Sequence, residues 1–137
     1  MTFNQELFDR YVRLIAIHHR FAALRTGFAH TLMADDARNL LAYSRDLGDA
    51  HIYVVINRSD AAQSVDLAIG PPDKDYAMVD WLDPAQAVVQ NGGKTPDGRP
   101  QIQAVAGAKA AVTAHKGKVT ISLKPWETMI LAPAGAN

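Results

Sequence analysis

Apolar residues along the first 27 positions keep a helical period, and a glycine then ends it. Leu7, Tyr11, Leu14 and His18 form one row at i, i+4, i+7 and i+11, and Phe8, Val12, Ile15 and His19 form the row beside it. The spacing predicts one amphipathic helix over 6–27 that buries this wide stripe and turns Arg10, Arg13 and Arg20 to the other side. Thr2 with Gln5, or Asn4, can satisfy its open amides, and Gly27 is expected in the left-handed conformation that closes a helix end.

After Gly27, short apolar segments alternate with turn signals at regular intervals, as in a sandwich or barrel and unlike βαβ units. About eight strands are expected, over 28–33, 39–44, 51–57, 63–69, 76–82, 110–115, 118–123 and 128–132. The run 52–56, Ile-Tyr-Val-Val-Ile, is continuously β-branched or aromatic and suits a central strand covered on both faces. Val65, Leu67 and Ile69 alternate with polar or small residues, which marks a half-exposed strand. Lys116-Gly117 reads as a tight turn. Residues 90–107, with Asn-Gly-Gly, Pro-Asp-Gly and Arg-Pro, read as a long surface loop. The fold class is therefore all-β, an antiparallel sandwich of Greek-key type with one N-terminal helix, divided into 1–27 (helix) and 28–137 (sandwich).

Composition narrows the partners. Of 137 residues 48% are hydrophobic and 20% charged, enough for one compact core. Lys plus Arg and Asp plus Glu are both 14, so no net field gathers nucleic acid or anionic lipid, and neither is expected as a partner. Without cysteine there are no disulfides, thiolate nucleophiles or thiolate metal sites. The polar start running into a helix with Glu6, Asp9, Arg10 and Arg13 fits neither a secretory h-region nor a membrane span, which favours the cytoplasm without fixing a location.

Several segments together resemble the C-terminal part of α-amylase-type enzymes of glycoside hydrolase family 13, in the cyclomaltodextrinase, neopullulanase and maltogenic amylase branch. The last barrel helix of that family is similar to Tyr11-Val-Arg-Leu14-Ile15, His18-His19-Arg20 and Ala23-Leu24-Arg25-Thr26-Gly27. The sandwich that follows it resembles Ile52-Tyr-Val-Val-Ile-Asn57, Val79-Asp80-Trp81-Leu82 and Gly117-Lys-Val-Thr-Ile-Ser-Leu-Lys-Pro125 leading to Met129-Ile-Leu131. The family commonly has Pro-Ala-Leu-Arg where this chain has Phe21-Ala22-Ala23-Leu24-Arg25, so the helix is expected to run longer here.

The resemblance implies hydrolysis of α-glucosidic bonds by an aspartate nucleophile, a glutamate acid/base and a stabilising aspartate on a (β/α)₈ barrel. None of those motifs is in this sequence, and a barrel needs roughly 200 residues or more. The chain alone is accordingly expected not to be an enzyme. Asp35-Asp36, Asp80 and Asp83 are the carboxylates to weigh for two-carboxylate chemistry, and all sit where turns are expected. His18 and His19 point apart on a helix, and His30, His51 and His115 lack partners at ligand spacing, so no metal and no cofactor is assigned. No nucleophile elbow occurs, and Gly92-Gly93 lacks the strand and helix of a phosphate cradle.

Sugar rings stack on exposed aromatic faces, which makes Tyr43, Tyr76, Trp81 and Trp126 the candidate carbohydrate-binding residues. Against this, Trp81 alternates with Val79 and Trp126 precedes an apolar run, so a core or barrel-facing role is the leading reading for both. The resulting expectation is a non-catalytic accessory domain that stabilises a catalytic barrel. Its partner would be that barrel, or a second copy through the helix in a homo-oligomer. The rivals are an α-glucan-binding module and a sandwich that mediates contacts with other proteins.

Overall fold

The computed structural model describes residues 5–48, 50–90, 98–107 and 109–135. The capping residues Thr2 and Asn4, and the 91–97 part of the expected 90–107 loop with its Gly92-Gly93 pair, lie outside them. Two helices come first, α1 (Gln5–Arg20) and α2 (Ala22–Thr26). The strands are β1 (Phe28–Asp35), β2 (Leu40–Leu47), β3 (Ala50–Asn57), β4 (Gln63–Leu67), β5 (Asp75–Asp80), β6 (Ala87–Gln90), β7 (Gln101–Ala104), β8 (Val112–His115), β9 (Val119–Leu123) and β10 (Thr128–Ala132). The all-β sandwich with a helical N-terminus thus stands. Ten strands occur among the described residues where about eight were expected, because β6 pairs with β7 across the segment read as a loop.

A six-stranded sheet, in the order β1-β2-β3-β10-β5-β8, forms the centre. The last strand, β10, is inserted between β3 and β5, pairing Ile130 with Val54 and Leu131 with Asp80. Both sheet faces are covered. On one side Tyr53, Val55, Met78 and Leu131 pack against Val65, Leu67, Ile121 and Leu123 of the β4-β9 pair. On the other, Ile52, Val54, Val79, Trp81 and Ile130 pack against Ala16, Ile17, Phe21 and Ala23 of the helices and Ala87 and Ile102 of the β6-β7 hairpin. The alternation of a two-residue period therefore fills both layers of core, which is why β3 reads as an unbroken apolar run.

Helix α1 stops at Arg20, which corrects the expectation of one helix to Gly27. Phe21 adopts extended angles (φ −101°, ψ 109°) and buries its ring edge-on to Trp81, with centroids 4.9 Å apart. Burying a large aromatic outweighs the helical hydrogen bonds lost at one residue. Ala22 then takes the first position of α2, where proline is well suited because its fixed φ and missing N–H cost nothing there. The break consequently survives without the proline of the family pattern.

Gly27 also departs from expectation. Its φ is −75°, outside the left-handed region, while its amide still closes α2 on the Ala23 carbonyl at 2.9 Å. A Cβ there would lie 2.2 Å from the Ala23 oxygen and 2.8 Å from the Asp46 oxygen, so glycine is needed for close approach. At Lys116-Gly117 both φ values are positive, 51° and 82°, and His115 and Lys118 exchange backbone hydrogen bonds, as a two-residue hairpin turn requires.

Candidate functional site

The face by which α1 docks is the reverse of the one its periodicity suggests. Arg13, Ala16, Ile17 and Arg20, at i, i+3, i+4 and i+7, lie against the sheet, with Ala16 and Ile17 buried. Arg13 donates to the Trp81 carbonyl at 3.1 Å and to the Ala87 carbonyl at 2.9 Å. Arg20 donates to the Ile102 carbonyl at 3.0 Å, and its guanidinium lies 4.9 Å from the centroid of the Trp81 ring. Burial lowers the pKa of both arginines, and at Arg13 the charges of Asp83 and Asp80 oppose that shift. Long side chains that lay their stems along apolar surface and reach carbonyls with their heads make this docking possible.

Opposite that face, Tyr11 is 59%, Leu14 40% and Ile15 54% exposed, and Leu7 (48%) and Phe8 (44%) continue the same side of the helix. The expected burial of this stripe is therefore not met within the chain. The signal for the correct assignment was present in the Arg13–Ala16–Ile17–Arg20 row, but small and charged residues there are outranked by larger apolar ones in any hydrophobicity-based reading.

Of the aromatic candidates, Trp81 is fully buried and its indole N–H reaches the Ala132 carbonyl at 3.3 Å. It has no face left for a sugar, which removes it from the carbohydrate candidates. Tyr43 and Tyr76 are half-buried against opposite core layers, Tyr43 with the helix side and Tyr76 with the β4-β9 side. Burial raises the Tyr76 pKa, and Tyr53 adds to it. Trp126 alone of the four is open to solvent, at 66%. The four do not converge on a common platform.

The carboxylates take structural roles. Asp35 accepts the Arg38 amide at 3.1 Å, and Asp83 accepts the Ala85 amide at 2.9 Å, both turn contacts. Asp80 is buried and accepts the Leu82 and Ile130 amides at 3.1 and 3.2 Å. Burial pushes its pKa up to about 6 against those hydrogen bonds, with Asp83 and Glu127 adding to the rise. The fold does gather one group that spacing could not show: Asp46 on β2 accepts from both His51 and His30 through their Nδ1 atoms, at 2.6 Å each, and from Ser44 at 2.9 Å. Burial opposes ionisation of Asp46, but these hydrogen bonds outweigh it and hold the carboxyl below its ordinary range. Among the described residues no group of three or more His, Asp or Glu is arranged to hold a metal ion.

Residues 30–92 match the family model described as Maltogenic Amylase, C-terminal domain. The chain carries the C-terminal domain of a family 13 enzyme. Neopullulanase 2 of Thermoactinomyces vulgaris is 30% identical over 128 residues, a match that covers 93% of this chain and 17% of the relative. Cyclomaltodextrinase of Geobacillus thermopakistaniensis (strain MAS1) is 36% identical over 66 residues, covering 48% of this chain and 11% of the relative. The C-terminal domain thus spans less than a fifth of the length of either. Among solved structures, AmyP in complex with maltotriose shares the fold with a TM-score of 0.61 at 17% identity, over 99% of this chain and 22% of that one. The debranching enzyme from Nostoc punctiforme does so with a TM-score of 0.58 at 20% identity, over 95% and 22%.

Proposed function

We propose that this C-terminal domain is a non-catalytic accessory unit that docks on the catalytic barrel of an α-glucan-active hydrolase through α1 and stabilises it. The observation that carries the reading is the two-sided use of α1. One side is fixed to the sandwich by Arg13, Ala16, Ile17 and Arg20, while Tyr11, Leu14 and Ile15 present a second apolar face outward. Contiguous apolar surface of this kind marks an interaction site. The occupant fits the barrel because the family 13 relatives continue for several times the length of this chain. A helix shared by two layers makes sandwich and barrel unfold together, which is how an accessory domain transmits stability.

The test is a hybrid of Neopullulanase 2 in which the region aligned with this chain is replaced by it. The hybrid is expected to unfold in one transition, several degrees above the same enzyme with that region deleted. Tyr11→Glu with Ile15→Glu should remove the gain. A hybrid no more stable than the deleted enzyme overturns the reading.

A further inference from the structure

Trp126 stands in a conformation its side chain does not favour. Pro125 and Trp126 are the central residues of a turn closed by the Glu127 amide on the Lys124 carbonyl at 3.1 Å, and Trp126 has φ 61°. Proline followed by a positive φ defines a type II turn, whose second central position normally takes glycine or asparagine. A bulky aromatic there is an outlier. The turn is nevertheless held firmly. Fully buried Asn57 donates to the Lys124 and Ala61 carbonyls at 2.9 Å each, the Trp126 amide donates to the Ser59 carbonyl at 3.0 Å, and Glu127 accepts the Lys124 amide at 2.9 Å.

The indole so presented is 66% exposed, so the fold derives little burial from it. It borders a groove of about 950 Å³ between α1 and the sandwich, whose walls include Arg10, Leu14, Leu82, Pro84 and Val88. Leu14 belongs both to this groove and to the outward face of α1, which makes the two surfaces continuous. Strain kept at an exposed aromatic on a rigid support points to function. Charged Glu6, Asp9 and Arg10 line the groove beside its apolar residues, but no second aromatic candidate lies next to the indole to form a sugar-stacking platform, whereas Trp and Arg are the residues enriched at the hot spots of protein interfaces.

We infer that Trp126 is an anchor of the barrel interface, inserted into an apolar recess of the barrel next to the α1 face. This rests on the accessory-domain reading, and Trp126→Gly separates the two. In the isolated chain the substitution should leave the unfolding temperature unchanged or raise it, since glycine suits the turn. In the Neopullulanase 2 hybrid it should lower the transition by several degrees. A large loss in the isolated chain would make Trp126 a structural residue and overturn the inference. A hybrid weakened by Tyr11→Glu with Ile15→Glu but not by Trp126→Gly would overturn the anchor and leave the docking standing. Calorimetry with maltoheptaose is expected to show no saturable binding, and binding abolished by Trp126→Gly would reassign the indole to an oligosaccharide.

Discussion

The Arg20 guanidinium lies 4.9 Å from the centroid of the Trp81 ring while donating to the Ile102 carbonyl. One side chain thereby joins the end of α1, the largest buried aromatic and the β6-β7 hairpin. Phe21 closes the same ring edge-on at 83°. Replacing Arg20 with Met keeps much of the stem and removes the charge and the donor. A loss of about 1–3 kcal/mol is expected, read as a lower urea midpoint with an unchanged slope. Trp81→Ala should cost about 3–5 kcal/mol by the cavity it leaves. An Arg20→Met variant as stable as the parent would mean that Arg13, Ala16 and Ile17 hold the helix without it.

Exposed Tyr11, Leu14 and Ile15 give the isolated chain a second prediction. Without a barrel to cover them, they should drive concentration-dependent self-association through α1, seen by light scattering. Tyr11→Glu with Ile15→Glu should return the chain to a monomer with little change in unfolding temperature, because both residues face away from the core. A parent chain that stays monomeric at high concentration would show that this face is tolerated in water.

These results bear on what the sequence could reveal. The strands β3, β9 and β10 were legible because branched apolar residues cluster between turn residues. The hairpin β6-β7 was not, since Val88 and Val89 stand beside glycines and prolines that signal a loop, and Ile102 gains meaning only by pairing across it. The existence of α1 was legible, yet its docked side was not, because arginines that bond carbonyls look like solvent-facing charges. The grouping of His30 and His51 on Asp46 depends on the β1-β2-β3 register, which sets His51 opposite Asp46 and His30 opposite Ser44. Only the exposure of Trp126, not its residue type, distinguishes it from Trp81.

Asn57 supports the Trp126 turn from below. It is 1% exposed, donates to two carbonyls and accepts the Ser59 amide and hydroxyl. Asn57→Ala removes both donations and leaves the Ser59 amide without its acceptor, while the Lys124 carbonyl keeps the Glu127 amide and the Ala61 carbonyl keeps the Ser59 hydroxyl, so a loss of about 1–3 kcal/mol is expected. Asn57→Asp retains the acceptor but loses both donations and adds a buried charge, so it should be at least as damaging. Equal stability of the parent and Asn57→Ala would show that the turn closes by its backbone hydrogen bonds alone.

Two carboxyls give stability opposite pH dependences. Asp80 titrates near 6 in the folded chain and near 3.8 when unfolded, so the folded state holds the extra proton between those values. Stability from Asp80 therefore falls as pH rises through that window, by about 2–3 kcal/mol in all. Asp80→Asn cannot ionise, and its stability relative to the parent should improve by that amount between about pH 3.5 and about pH 7.5. Asp46 behaves in the reverse sense: its folded value lies below 3.8, so its contribution is present above the unfolded value and is lost as pH falls through the folded one. Asp46→Asn should flatten the acid limb of the stability curve and leave the limb near 6 intact. Urea midpoints of the parent and both variants across this range separate the two groups, and a variant curve parallel to the parent at every pH would remove that carboxyl from the account.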